Sequence, residues 1–131
     1  AEEALSNASS NMEQAKTIHA QGVLIVEKLQ AIEQVTTLAN KTFSLTSGRL
    51  RGAVRQMKEA IAIHGEDFPL FPQESKEAVF LSVKYAQLVK AMIDTPILDQ
   101  DGNLVLSTEK HVLDISAVAS GKKSTLDTPA A

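Results

Sequence analysis

The chain has 131 residues, 44% of them hydrophobic and 22% charged, with a formal net charge of −3 and no cysteine. That usage describes one globular domain long enough to build a core, and excludes intrinsic disorder, a disulfide framework, a thiolate nucleophile and a Cys-based zinc site. The sequence pI of about 5.6 argues against a general nucleic-acid binder, and the short apolar run around Val23-Leu24-Ile25-Val26 is far below membrane-spanning length.

Aromatic residues make up only 4% of the chain, with no Trp, so the core is expected to be aliphatic and built from helices packed on helices. The sequence opens Ala1-Glu2-Glu3 without an initiator Met. The expectation is a mature, processed protein, exported to a periplasm or an organelle lumen, or an excised fragment.

The first predicted helix covers residues 2–38. Ile18, Gly22, Ile25, Leu29 and Ile32 recur at spacings of four and three, a one-faced helical stripe. Leu5, Ala8, Met12 and Ala15 extend it backwards. Gly22 marks a kink or a close helix contact, since glycine weakens a helix interior by about 1 kcal/mol relative to Ala. The β-branched Val35-Thr36-Thr37 and the polar Asn40-Lys41-Thr42 read as a frayed end and a loop.

A second helix is predicted from residues 44–47 to His64, with Leu50, Val54, Met57 and Ile61 as its apolar stripe and Gly65 as its stop. The segment Glu66-Asp67-Phe68-Pro69-Leu70-Phe71-Pro72 reads as a rigid connection whose Phe rings plug one end of the bundle. The third helix starts at Gln73 or Glu74 and ends near Ile93, with acidic residues early and lysines late, as the helix dipole favours. Val79 or Phe80, with Val83, Leu88 and Met92, forms its apolar side, and Val79 is the one expected in the core.

After Pro96 the texture changes. Residues 97–106 read as a short hairpin around the acidic turn Asp99-Gln100-Asp101-Gly102-Asn103. Ser107-Thr108-Glu109 opens a final helix to about Ala119, with Val112 in the core. The fold expected is all-α, an up-down-up-down four-helix bundle over residues 1–119, with a hairpin-like insertion before the last helix and a flexible tail over residues 120–131.

Little in the chain points to catalysis. The pairs Glu2/Glu3, Glu66/Asp67 and Glu74/Glu77 lie at helix starts or in a loop, where helix-end electrostatics explains them. His19, His64 and His111 are far apart and show no metal-site spacing, although three isolated His could converge in a bundle to bind a metal or small molecule. The segment from Asp99 does not fit a calcium loop: Gly102 falls at position four rather than six, and Lys110 at position twelve, where a Glu is required. No Gly-rich phosphate loop and no nucleophile elbow is present. No catalytic, cofactor or metal ligand is therefore assigned, and an enzyme has no support.

The candidate binding residues are Arg49, Arg51, Arg55 and Lys58, four cations within ten residues of an acidic chain. Two readings compete. The stripe is either a solvated face making pairs four residues apart, such as Arg55 with Glu59, or a docking face for an acidic partner, for which the forked Arg side chain is suited.

The run Ser47-Gly48-Arg49-Leu50-Arg51-Gly52-Ala53-Val54-Arg55-Gln56-Met57, followed by Leu70-Phe71-Pro72 and the helix from Gln73 to Met92, resembles the PsbQ-like extrinsic proteins of photosystem II, over about residues 40–93. The resemblance implies an up-down-up-down bundle, processed into the thylakoid lumen and peripheral to the membrane. It further implies binding to photosystem II lumenal subunits and other extrinsic proteins, and help in retaining calcium and chloride in the oxygen-evolving complex. Several features depart from that family: the Pro-rich N-terminal arm of its plant members is not seen, residues 99–106 form an extra hairpin, the final helix is short and the tail is polar. A second reading is a periplasmic helical partner of a secretion or pilus system, since Leu45-Thr46-Ser47-Gly48-Arg49 after a Gln-rich helix is similar to the minor pilins of conjugation machines.

Overall fold

A computed structural model describes residues 2–126. Among these residues it is all-helical, with α1 over Glu2–His64, a short 3₁₀ turn over Phe68–Leu70, α2 over Gln73–Ile93 and α3 over Thr108–Ala119. The sequence predicted four α-helices; the described residues form three. The loop expected at Asn40-Lys41-Thr42 is instead part of the 63-residue α1.

The reason lies in where the polar side chains go. Thr42 and Thr46 are both fully buried, and the Thr46 hydroxyl donates to the carbonyls of Thr42 and Phe43, each at 3.1 Å. A threonine satisfied by its own helix carries no cost of an unpaired buried hydroxyl, so β-branching does not end the helix. Packing of this segment then overrides its weak helix propensity.

The chain divides into two units, Ala1–Gln34 and Val35–Ala131. In the first, every side chain from Glu3 to Gln30 is exposed. The stripe is present but uncovered: Ile18 is 67% exposed, Ile25 57% and Leu29 59%. These three were expected in the core and are not in it. Ile32 is half-buried. A Cβ built on Gly22 would meet nothing within 4 Å, so no close helix contact is made there.

The second unit holds the core. Ala39 of α1, Leu88 and Met92 of α2, and Val112, Ile115, Val118 and Ala119 of α3 form its buried cluster. Leu38, Leu45, Tyr85, Ile97 and Leu126 pack around it. Leu88, Met92 and Val112 were expected here. The stripe Leu50, Val54 and Met57, by contrast, is only half-buried, Val79 likewise, and Ile61 and Val83 are exposed. On α1 the buried positions include the small residues Ala39, Thr46, Ala53 and Ala60, spaced every seven. A seven-residue recurrence keeps one face of a helix turned the same way. The large aliphatic residues flank this seam instead of forming it.

Helix ends follow local chemistry. The Gly65 amide donates to Ile61 O at 2.9 Å and the residue has φ +74°, the left-handed conformation that lets glycine close α1. Phe71 is buried, and its ring lies 5.8 Å from that of Phe68 and 6.2 Å from that of His64; of the two rings expected to plug one end of a bundle, Phe68 is exposed and only Phe71 is covered. α2 begins at Gln73, immediately after Pro72, and ends at Ile93.

The expected hairpin is one antiparallel bridge, Leu98 to Leu104, closed by the Asp99 amide donating to Asn103 O at 2.8 Å. The Thr108 hydroxyl does not cap α3; it donates to Pro96 O at 2.6 Å and ties the start of α3 to the end of the α2 connection. Beyond α3, Lys123 pairs with Asp114 and Leu126 packs against the core, so residues 120–126 are fastened to the fold. The remainder of the expected flexible tail, residues 127–131, lies outside the described residues.

Replacing Ile115, which is 0% exposed, by Ala is expected to cost about 2–5 kcal/mol, by lost transfer energy and the cavity left behind. Leu106→Ala, at a side chain 92% exposed, is expected to shift stability by no more than about 0.5 kcal/mol. Urea unfolding midpoints of the two variants check both numbers.

Candidate docking face

Arg49, Arg51, Arg55 and Lys58 all lie on α1 within the second unit, and all four are exposed. Arg51, Arg55 and Lys58 recur at spacings of four and three, which brings them to one side of the helix. Among the described residues none of the four makes an ion pair, so the Arg55–Glu59 pairing that would have explained the stripe is not formed. A Cβ built on Gly48 would meet the Arg51 guanidinium at 3.9 Å, an ordinary contact.

The three cations border a shallow groove whose floor is Leu50 and Val54. The arrangement is an apolar strip bounded by two guanidinium forks and one ammonium. It suits a partner that offers carboxylates around an apolar ridge, because the strip supplies contact area and the guanidinium groups supply direction. The sequence identified the cations. It placed Leu50 and Val54 in the core, whereas they are half-buried and form the groove floor. The signal that could have shown this is the alanine series Ala53 and Ala60, which marks the true buried seam between the large residues.

A second cleft opens between the end of α1 and the start of α2. Glu59, Glu74 and Glu77 line it together with His64. The three carboxylates are exposed and stay hydrated. Lys58 and Glu59 are adjacent in sequence and so about 100° apart around the helix axis, and the other lining residues put the groove and the cleft on nearly opposite sides of α1. α1 thus presents a basic side and an acidic side within one turn.

The remaining candidates are structural. Among the described residues no three His, Asp or Glu side chains are gathered as metal ligands would be. The Asp99 carboxylate accepts the amides of Asp101 and Asn103 at 2.9 and 3.0 Å, the bonding of an Asx-type turn. Among the described residues, no helix is long and apolar enough to cross a membrane.

Compared with known proteins, the chain matches no family model, no curated protein and no solved structure.

Neutralising the cations should leave the fold intact. Arg51→Gln, Arg55→Gln and Lys58→Gln are each expected to change stability by less than about 0.5 kcal/mol, since each side chain is exposed and without an ion pair among the described residues. Thermal unfolding followed by circular dichroism measures this directly.

Proposed function

We propose that the chain is a non-catalytic helical docking subunit that engages an acidic partner through Arg49, Arg51, Arg55 and Lys58. The observation that carries this reading is the state of those cations. All are exposed, none is ion-paired among the described residues, and three of them border an apolar groove. Exposed Arg and Lys side chains around an apolar strip steer an acidic surface during encounter and fix its register on contact. Their attraction acts over about 8–10 Å at moderate salt, so binding of this kind is strongly salt-dependent.

The resemblance over residues 40–93 gives the proposed partner a name: the lumenal face of photosystem II, where such a subunit would sit peripheral to the membrane and help hold calcium and chloride at the oxygen-evolving complex. The uninterrupted α1 departs from the four-helix arrangement that the resemblance implies, so the reading rests on the basic face rather than on the bundle. The alternative partner is a periplasmic secretion or pilus assembly, a reading favoured by the length of α1, since long helices serve as assembly elements.

Reconstitution tests the proposal. Photosystem II membranes are stripped of extrinsic proteins with salt, the chain is added, and binding and oxygen evolution are followed together. The expected result is rebinding that salt reverses, with recovered activity. Changing Arg51, Arg55 and Lys58 together to Glu should weaken binding about tenfold or more. Changing Lys41, Lys110 and Lys122 together to Glu alters the net charge by the same amount outside the groove and should bind as the parent does, which separates the groove from overall charge. Membranes that rebind their own subunits but not this chain would exclude photosystem II as the partner.

A further inference from the structure

The seven-residue recurrence of α1 continues in the sequence before the packed unit begins. Counting back from Ala60, Ala53, Thr46 and Ala39, the same interval falls on Ile32, Ile25 and Ile18. A companion series, three residues before Ile32 and Ile25, contains Leu29 and Gly22. In a heptad description Ile18, Ile25 and Ile32 take the d positions, and Gly22 and Leu29 the a positions. Ile18, Ile25 and Leu29 are more than half exposed. A recurrence of Ile every seven residues, sustained over residues where no side chain is buried, is the pattern of a helix that packs against another helix.

The charges say which helix. In this register Lys28 is at g and Glu33 at e, both exposed and neither in an ion pair among the described residues. In a parallel pair of identical helices, g of one chain faces e of the other five residues further on. Lys28 and Glu33 are five apart, so each copy offers the partner's missing charge, twice over by symmetry. Within one helix residues five apart do not face each other, so the pair has no intrachain use. An antiparallel arrangement would set g against g and lose the match.

We infer that residues 15–33 of α1 associate in parallel with the same segment of further copies of this chain. Ile at all three d positions, with Leu29 at one a position beside the small Ala15 and Gly22, favours assemblies of more than two helices. Val26, exposed and at an e position beside the seam, widens the apolar face beyond a two-helix contact, in keeping with that number.

Sedimentation of the full chain at micromolar concentration gives the first test, with a mass of three or four chains expected. Ile25→Asp should reduce the mass to one chain while leaving the helical signal of the packed unit and its unfolding midpoint in place. Orientation is read by cross-linking, which the absence of cysteine makes clean. Ile18→Cys, Ile25→Cys and Ile32→Cys, made singly, should each form interchain disulfides with themselves on mild oxidation. Lys28→Glu alone should weaken association, and Lys28→Glu with Glu33→Lys should restore it.

A single-chain mass for the parent overturns the inference. If that single chain instead floats with phosphatidylglycerol vesicles, the stripe belongs to a lipid surface. Self-cross-linking of only one of the three cysteine variants overturns the parallel arrangement. None of these readouts depends on binding to an acidic partner, so the docking proposal and this one fail separately.

Discussion

Val112, Ile115 and Val118 stand three residues apart on one side of α3, and all three are shut off from water at 2% exposure or less. α3 has only 12 residues, too few to be stable alone. It persists because that side closes over Leu88 and Met92 of α2 and Ala39 of α1. The surrounding features serve the closure. The bridge between Leu98 and Leu104 shortens the path from α2, the Thr108 hydroxyl holds the entry of α3 to Pro96, and Lys123 and Leu126 pin its exit. Remove the buried side of α3 and the neighbouring parts of α1 and α2 lose what they are packed against.

The elements most legible in the sequence were those with chemical punctuation. α2 follows Pro72 and carries Glu74 in its first turn and Lys90 in its last, and its observed span agrees with the reading of the sequence. The acidic turn at Asp99 and the final helix were legible for the same reason. What the sequence hid was continuity and rotation. Val35-Thr36-Thr37 and Asn40-Lys41-Thr42 look like an ending by propensity, but Thr42 and Thr46 are buried and their segment stays helical. Ranking residues by size also misplaced the buried face, because the seam is made of Ala and Thr and the larger Leu50, Val54 and Ile61 lie beside it or outside it.

The basic face was legible as a charge pattern and not as a surface. Arg51, Arg55 and Lys58 share a side of any helix at that spacing, so their grouping followed from periodicity alone. Whether they were already neutralised by neighbours depended on rotamers that a sequence does not specify. The same limit applied to the first 34 residues. An apolar stripe in a sequence says that a face seeks cover; it does not say whether the cover comes from the same chain.

The scarcity of aromatic residues has a practical side. Tyr85 is the single tyrosine and there is no tryptophan. It is half-buried, packed on the core cluster, with the Lys84 ammonium 5.9 Å from its ring centre. Its ultraviolet emission is therefore a private reporter on the unit that begins at Val35, silent about the helix before it. Far-ultraviolet dichroism weighs both stretches together. Following the two signals side by side during heating separates the fraying of the leading helix from the melting of the packed unit, without attaching any dye.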